Sequence, residues 1–224
     1  MTAGLALALG LAGAVLVATI ALERDGGGVK EAALIATLAA AAAAGRVLFA
    51  PLPSVQPVTV ICLVAGATLG LRAGVAVGML APLISNGFLG HGPWTPAQMV
   101  LWGLAGAAGA ALGDRARATA LLVAVAALLG VLFSWGMNAW FLASFGPQLN
   151  LAAFVAASVR SLPFDLAHAT GNAVIAALAG PALVRLLIRY RRRIRTSVRR
   201  PDPAPDRSAA AAGDRGSPGG RTAW

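Results

Sequence analysis

Apolar positions fall in long unbroken runs, separated by short stretches that carry nearly all the polar and breaking residues. The runs cover residues 3–22, 31–50, 57–71, 73–89, 97–113, 119–142 and 151–188. A helix crosses a bilayer with about 20 predominantly apolar residues. A membrane β-barrel needs strict alternation of apolar and polar positions instead, and these runs do not alternate. The pattern therefore predicts an all-α membrane protein. The last run is too long for one simple span. Pro163 is expected to divide it into a short lead-in and a spanning helix over 164–188, because proline suits a first helical turn and not an interior. The expected total is seven spans, one extra helix over 3–22 followed by a block of six. The first run lacks the preceding basic residue of a signal peptide, and Arg24 and Lys30 follow it instead, so it reads as a retained helix.

Composition agrees with the pattern. Of 224 residues 58% are hydrophobic and 12% charged, with a mean hydropathy of +0.76. A soluble domain carries about twice that charged fraction. The net charge of +10 invites a nucleic-acid reading, but 11 of the 18 basic residues lie from Arg185 onward, at the end of the last apolar run. The stretch 185–195, RLLIRYRRRIR, reads as a cytoplasmic membrane exit near anionic lipid, and no nucleic acid is expected. The single cysteine, Cys62, lies within an apolar run and forms no intrachain disulfide. Three regions follow: residues 1–30 as an extra N-terminal helix and linker, 31–195 as a six-helix membrane domain, and 196–224 as a disordered basic tail rich in Pro, Gly, Ala and Asp.

Charge also orients the block. With Arg24 and Lys30 inside, Arg72, Arg115, Arg117 and the Arg-rich end also fall inside. The opposite loops, 50–56, 87–97 and 143–150, contain no Lys or Arg. The expected protein is a multi-pass component of a prokaryotic plasma membrane, N-terminus outside and C-terminus cytoplasmic. This places FLGHGPWTPAQM, residues 88–99, at the outer face.

Polar residues within spans are expensive, so they are the candidates for chemistry. Arg46, Asn86, Gln98, Asn138, Asp165, His168 and Asn172 all fall in outer halves of their predicted helices. Residues 165, 168 and 172 are spaced three and four apart and share a face. His91, Trp94 and Trp102 lie in or just below the 88–99 stretch. Each has a plainer reading. Arg46 snorkels to the interface or pairs with Asp165. Asp165 caps a helix start. His168 packs, and His91 is an exposed loop residue. Trp94, Trp102, Trp135 and Trp140 form an interfacial belt. Convergence at one depth favours a binding pocket. Ser85, Ser134 and Ser161 have no supporting nucleophile motif, the histidines and aspartate have no metal-ligand spacing, and there is no phosphate-cradling GxxxxGK[ST]. No catalytic residue, metal or cofactor is expected. Ala32, Ala36, Ala40 and Ala44 form a small-residue stripe that serves either bundle packing or a partner helix.

The stretch from Arg46 to Arg115, with GPWTPAQM in it, and PFDLAHATGNAVIAALAGP at 163–181 resemble the substrate-specific S components of energy-coupling factor transporters, the vitamin importers of prokaryotes. With the alanine-rich helix the resemblance covers about residues 31–195. It implies a six-helix bundle with an outward-opening pocket, closed in part by the loops APLPSVQ and FLGHGPWTPA. It implies a vitamin or vitamin precursor as cargo, with cobalamin or a related precursor slightly favoured, and no ATPase activity of its own. The partners would be a transmembrane coupling subunit, two ATP-binding subunits and the lipid bilayer. The alanine stripe matches the family's Ala-x-x-x-Ala coupling motif. On this reading Arg46, Asn86, His91, Trp94, Gln98, Trp102, Asn138, Asp165, His168 and Asn172 line the substrate site. A stand-alone secondary transporter or channel is the second expectation, and a membrane-embedded enzyme using Asp165 and His168 the third.

Overall fold

The computed structural model describes residue 13 and residues 28–146 and 149–198. Among the described residues every regular element is helical: α1 (Gly28–Leu48), α2 (Val58–Leu69), α3 (Leu71–Leu89), α4 (Trp94–Leu112), a 3-10 turn (Gly113–Arg117), α5 (Thr119–Phe145), α6 (Leu151–Leu178) and α7 (Gly180–Val198). The expected helix over 3–22, its linker up to residue 27 and the tail from 199 lie outside the described residues. Residues 196–198, expected in the tail, continue α7.

Helix ends follow local chemistry. α2 and α3 are joined by Gly70 alone, whose φ of 102° lies where a side chain is strained. Asn150 caps α6, its side-chain oxygen accepting from the Ala153 amide at 2.9 Å.

The last apolar run departs from expectation. α6 runs straight through Pro163, and the break falls at Ala179, where α6 and α7 meet at a 57° bend. Pro181, not Pro163, occupies the first-turn position that proline suits. Pro163 lies on an exposed face of α6.

Among the described residues three helices are long and apolar enough to cross a membrane, Val29–Leu48, Leu71–Leu89 and Thr119–Phe145, and the bent pair of α6 and α7 adds a fourth if it is one span. This character suits a membrane-embedded protein. It also corrects the expectation that each apolar run is a span. α2 has 12 residues, so it reaches about 18 Å, short of a hydrocarbon core of about 30 Å.

α2 is instead the centre of the bundle. Val58, Val60, Cys62, Leu63, Val64 and Ala65 are all essentially inaccessible. Helices close on it without intervening side chains: a Cβ on Gly66 would collide with the Gly106 carbonyl of α4, and one on Gly106 with the Gly74 carbonyl of α3. Small residues at such crossings let backbones meet, which is how helices associate where no hydrophobic driving force separates them from lipid. α1 turns Ile35, Leu38, Ala39, Ala42 and Ala43 inward. Its Ala32, Ala36, Ala40 and Ala44 are exposed, so the small-residue stripe faces away from the bundle. α5 and α6 form an antiparallel pair, with Gly130 of α5 against Ala169 and Asn172 of α6.

Candidate functional site

The site is built where the end of α1, the loop 49–57, the end of α3 and the start of α4 meet. Arg46 stands in the last turn of α1, where the helix dipole favours a cation. Its Nε donates to Gln56 Oε1 at 3.0 Å and its Nη1 to Ser85 Oγ at 2.8 Å and to Asn86 Oδ1. Asn86 spends its two N–H groups on Thr95 Oγ1 and Gln98 Oε1, both at 2.9 Å. One guanidinium therefore ties α1, the loop, α3 and α4 together through buried side chains. All of its acceptors are neutral. The alternative in which Asp165 balances Arg46 is corrected: Asp165 instead accepts from Ser161 Oγ at 3.0 Å.

An aromatic column runs inward from the same guanidinium. The Arg46 Cζ lies 5.2 Å from the Trp102 ring centroid. Trp102 stacks on Phe133 of α5 at 4.4 Å, and Phe133 meets His168 of α6 at 5.2 Å. Trp102 is fully buried, with its indole N–H donating to Thr59 Oγ1 at 3.2 Å, so it does not belong to an interfacial belt.

His168 and Asn172, one turn apart on α6, complete the column. His168 Nδ1 lies 2.7 Å from the Ser54 carbonyl. A carbonyl only accepts, so Nδ1 carries the proton and Nε2 of the neutral ring is left an acceptor. Ser54 has a φ of 61°, a left-handed backbone that a non-glycine residue pays for with strain. His168 Nε2 and both side-chain atoms of Asn172 are buried without a hydrogen-bond partner. Unsatisfied polar atoms at such depth are costly and call for a ligand or water.

The remaining expected residues fall in two places. Asn138 of α5 donates to Ser161 at 2.8 Å and Ser158 at 3.4 Å, and Ser161 bonds Asp165, forming a second polar network within the α5–α6 pair. His91 and Trp94 form a rim: His91 Nδ1 is 3.5 Å from Thr95 Oγ1, and the Trp94 ring covers Gly92 while remaining 39% exposed. Arg46, Asn86, Gln98, Trp102, His168 and Asn172 thus belong to one connected cluster, with Asn138 and Asp165 beside it. The cavities described at Thr68–Arg192, at Lys30–Arg193 and at Ala40–Phe88 are lined by other residues than those of the cluster.

Gln56, Ser54, Thr59, Ser85, Thr95, Phe133, Ser158 and Ser161 are members that sequence reasoning did not assign to the site. The signal for Gln56, Ser85 and Thr95 was the count of donors and acceptors: a guanidinium has five N–H groups and a buried amide four hydrogen-bonding sites to fill, so polar residues in neighbouring segments are their natural partners. Arg160 was also passed over. It is exposed on the first half of α6, and it stands as an exception to the arginine-free outer side expected from the loops.

Compared with family models, curated proteins and solved structures, the chain gives no significant match to any of them.

Proposed function

We propose that the chain is the substrate-binding membrane subunit of an ATP-driven importer of the energy-coupling factor type, with a vitamin or vitamin precursor as cargo. The observation that carries this reading is the combination of a half-buried cation with only neutral acceptors, a stack of Trp102 and Phe133 leading from it to His168, and two orphaned polar side chains, His168 and Asn172. A flat heterocycle suits the aromatic column. An anionic or strongly electron-rich group suits Arg46, and a ligand edge that carries both donors and acceptors suits the unpartnered Asn172 amide and His168 Nε2. The exposed alanine stripe of α1 supports the second half of the reading, a helix face left for a coupling subunit.

The test is mass spectrometry of small molecules that stay with the full-length protein in mild detergent. A vitamin-sized compound held by the wild type and lost from Asn172→Ala and Arg46→Ala, with helical circular dichroism retained, is the expected result. An empty wild type that also brings down no ATP-binding subunits would overturn the proposal.

A further inference from the structure

We infer that the inner end of the molecule holds a binding site for the phosphate headgroup of an anionic lipid, in a cleft between the 3-10 turn, the end of α2 and α7. The cleft is a cavity of about 220 Å³ whose lining includes Arg117, Arg191, Arg192, Thr68, Val184 and Ile188. Its chemistry is divided. Three guanidiniums stand at the cleft, while Val184 and Ile188 present an apolar wall. Such an amphiphilic lining fits a headgroup together with the root of its acyl chains, and it does not fit a free anion, which needs polar groups all round.

Two of the guanidiniums, those of Arg191 and Arg117, have capacity to spare. Arg191 donates one N–H to the Thr68 carbonyl at 3.2 Å, and Arg117 pairs with Asp114 at 2.9 Å. Each guanidinium has five donors, so one carbonyl and one carboxylate leave several for a phosphate. Asp114, the partner of Arg117, also lines the cleft. The Arg191–Thr68 bond also ties α7 to the end of α2 beside the cleft.

The position of α7 argues for lipid as the source. The helix bends 57° away from α6. It keeps Val184 and Leu187 buried against the bundle, and its other face exposes Leu186 and Tyr190 beside Arg185, Arg189, Arg192 and Arg193. A basic helix with exposed apolar side chains suits the headgroup boundary, where the anionic leaflet adds about 1 kcal/mol per basic residue. This inference concerns the opposite end of the molecule from the Arg46 cluster and does not depend on the transport reading.

The experiment uses the full-length chain in neutral detergent. Dispersed phosphatidylglycerol, phosphatidylcholine and inorganic phosphate are added in parallel, and bound lipid is read by native mass spectrometry and stability by thermal unfolding. Phosphatidylglycerol is expected to remain bound and raise the Tm, with phosphatidylcholine and inorganic phosphate doing neither. Arg117→Gln/Arg192→Gln, which keeps the Arg191–Thr68 bond, is expected to weaken retention about tenfold or more. Arg185→Gln/Arg189→Gln, outside the cleft, is the control and should retain the lipid. Equal losses in the two variants would mean diffuse surface charge and would overturn the site. Retention unchanged in the cleft variant, or a Tm raised as much by inorganic phosphate, would overturn it as well. A cleft variant whose lipid-free Tm matches the wild type excludes misfolding as the cause of its loss.

Discussion

α3 and α5 both qualify as membrane-crossing helices, yet they solve different problems. Of the α3 span 56% is buried inside the bundle; of the α5 span, which is the more apolar of the two, 17% is. In water the more apolar helix would be the more buried one. Here the order is reversed, as it must be where lipid tails are as apolar as leucine and burial of leucine gains nothing. α3 is held by what lipid cannot offer: glycines that admit neighbouring backbones, and Ser85 and Asn86 that take hydrogen bonds from Arg46. α5 is held mainly by α6, and turns Leu121, Leu128, Leu132 and Trp135 outward. The cohesive part of the molecule is its less hydrophobic part.

The sharpest way to break this contrast is at the glycine crossing. Gly106→Val places a branched side chain into the Gly74 carbonyl, where neither backbone has room to give. The expected cost is about 3 kcal/mol or more, seen as loss of the folded monomer in detergent or a steep fall in Tm. Gly87→Val, on α3 as Gly74 is but with open space around its Cβ position, should cost little. Similar behaviour of the two variants would mean that α2, α3 and α4 do not meet backbone to backbone.

Next in size is the polar lock. Arg46→Ala strands Gln56 Oε1 and Asn86 Oδ1, and a buried acceptor without a donor costs roughly 1–3 kcal/mol. About 2 kcal/mol of destabilisation is expected by chemical denaturation. The network also predicts non-additivity: Asn86→Ala in the Arg46→Ala background should cost clearly less than in the wild type, with a coupling energy of about 1 kcal/mol. Strict additivity would show that Arg46 and Asn86 act separately.

These two predictions rest on features that differed in how legible they were. Helical class and most helix positions followed from the apolar runs, because period and length are local properties. The polar residues that would converge were also legible, since an Arg or Asn in an apolar run must find partners. Which partners it finds was not. Whether Arg46 meets Asp165 or Ser85 depends on how α1 is rotated against α3 and α6, and nothing local sets that rotation. Pro163 shows the same limit. Its ring was expected to divide the run and stand in the first turn of a spanning helix, but it lies on an exposed face inside α6, and the bend went to Ala179–Gly180 ahead of a second proline. α2 was read as a span because it is apolar, when its burial by other helices explains the apolarity as well. Trp102 lies low enough on α4 to be core, but one tryptophan among several near a predicted interface carries no mark of it.

A smaller effect is expected in the second network. Asn138→Ala removes the donor that joins α5 to Ser158 and Ser161. Hydrogen bonds between membrane helices average about 0.6 kcal/mol, so a loss near that value is expected, well below that of Arg46→Ala. A loss of about 2 kcal/mol would place the α5–α6 pair in the same class as the polar lock and would blur the contrast between the two regions.

The smallest effect, and the one that most directly probes what α5 faces, is on its outer surface. Leu128 and Leu132 are 55% and 46% exposed and lie one turn apart. Facing lipid, Leu128→Ala/Leu132→Ala exchanges apolar side chain for apolar solvent and should shift stability by no more than about 0.5 kcal/mol. A lipid-phase photoreactive carbene should label the same stripe heavily in bilayers and leave the buried face of α3 unlabelled. If the double variant instead loses about 2 kcal/mol, or the stripe resists labelling, then a protein surface covers α5. The low burial of α5 would then mark an interface and not a lipid boundary. The exposed alanine stripe of α1 is the natural comparison for that outcome, since alanines admit a close helix crossing and a row of leucines on α5 does not. Labelling both stripes in one experiment separates the alternatives: a lipid-facing α5 reacts whether or not partners are present, whereas a partner-binding α1 reacts only in their absence.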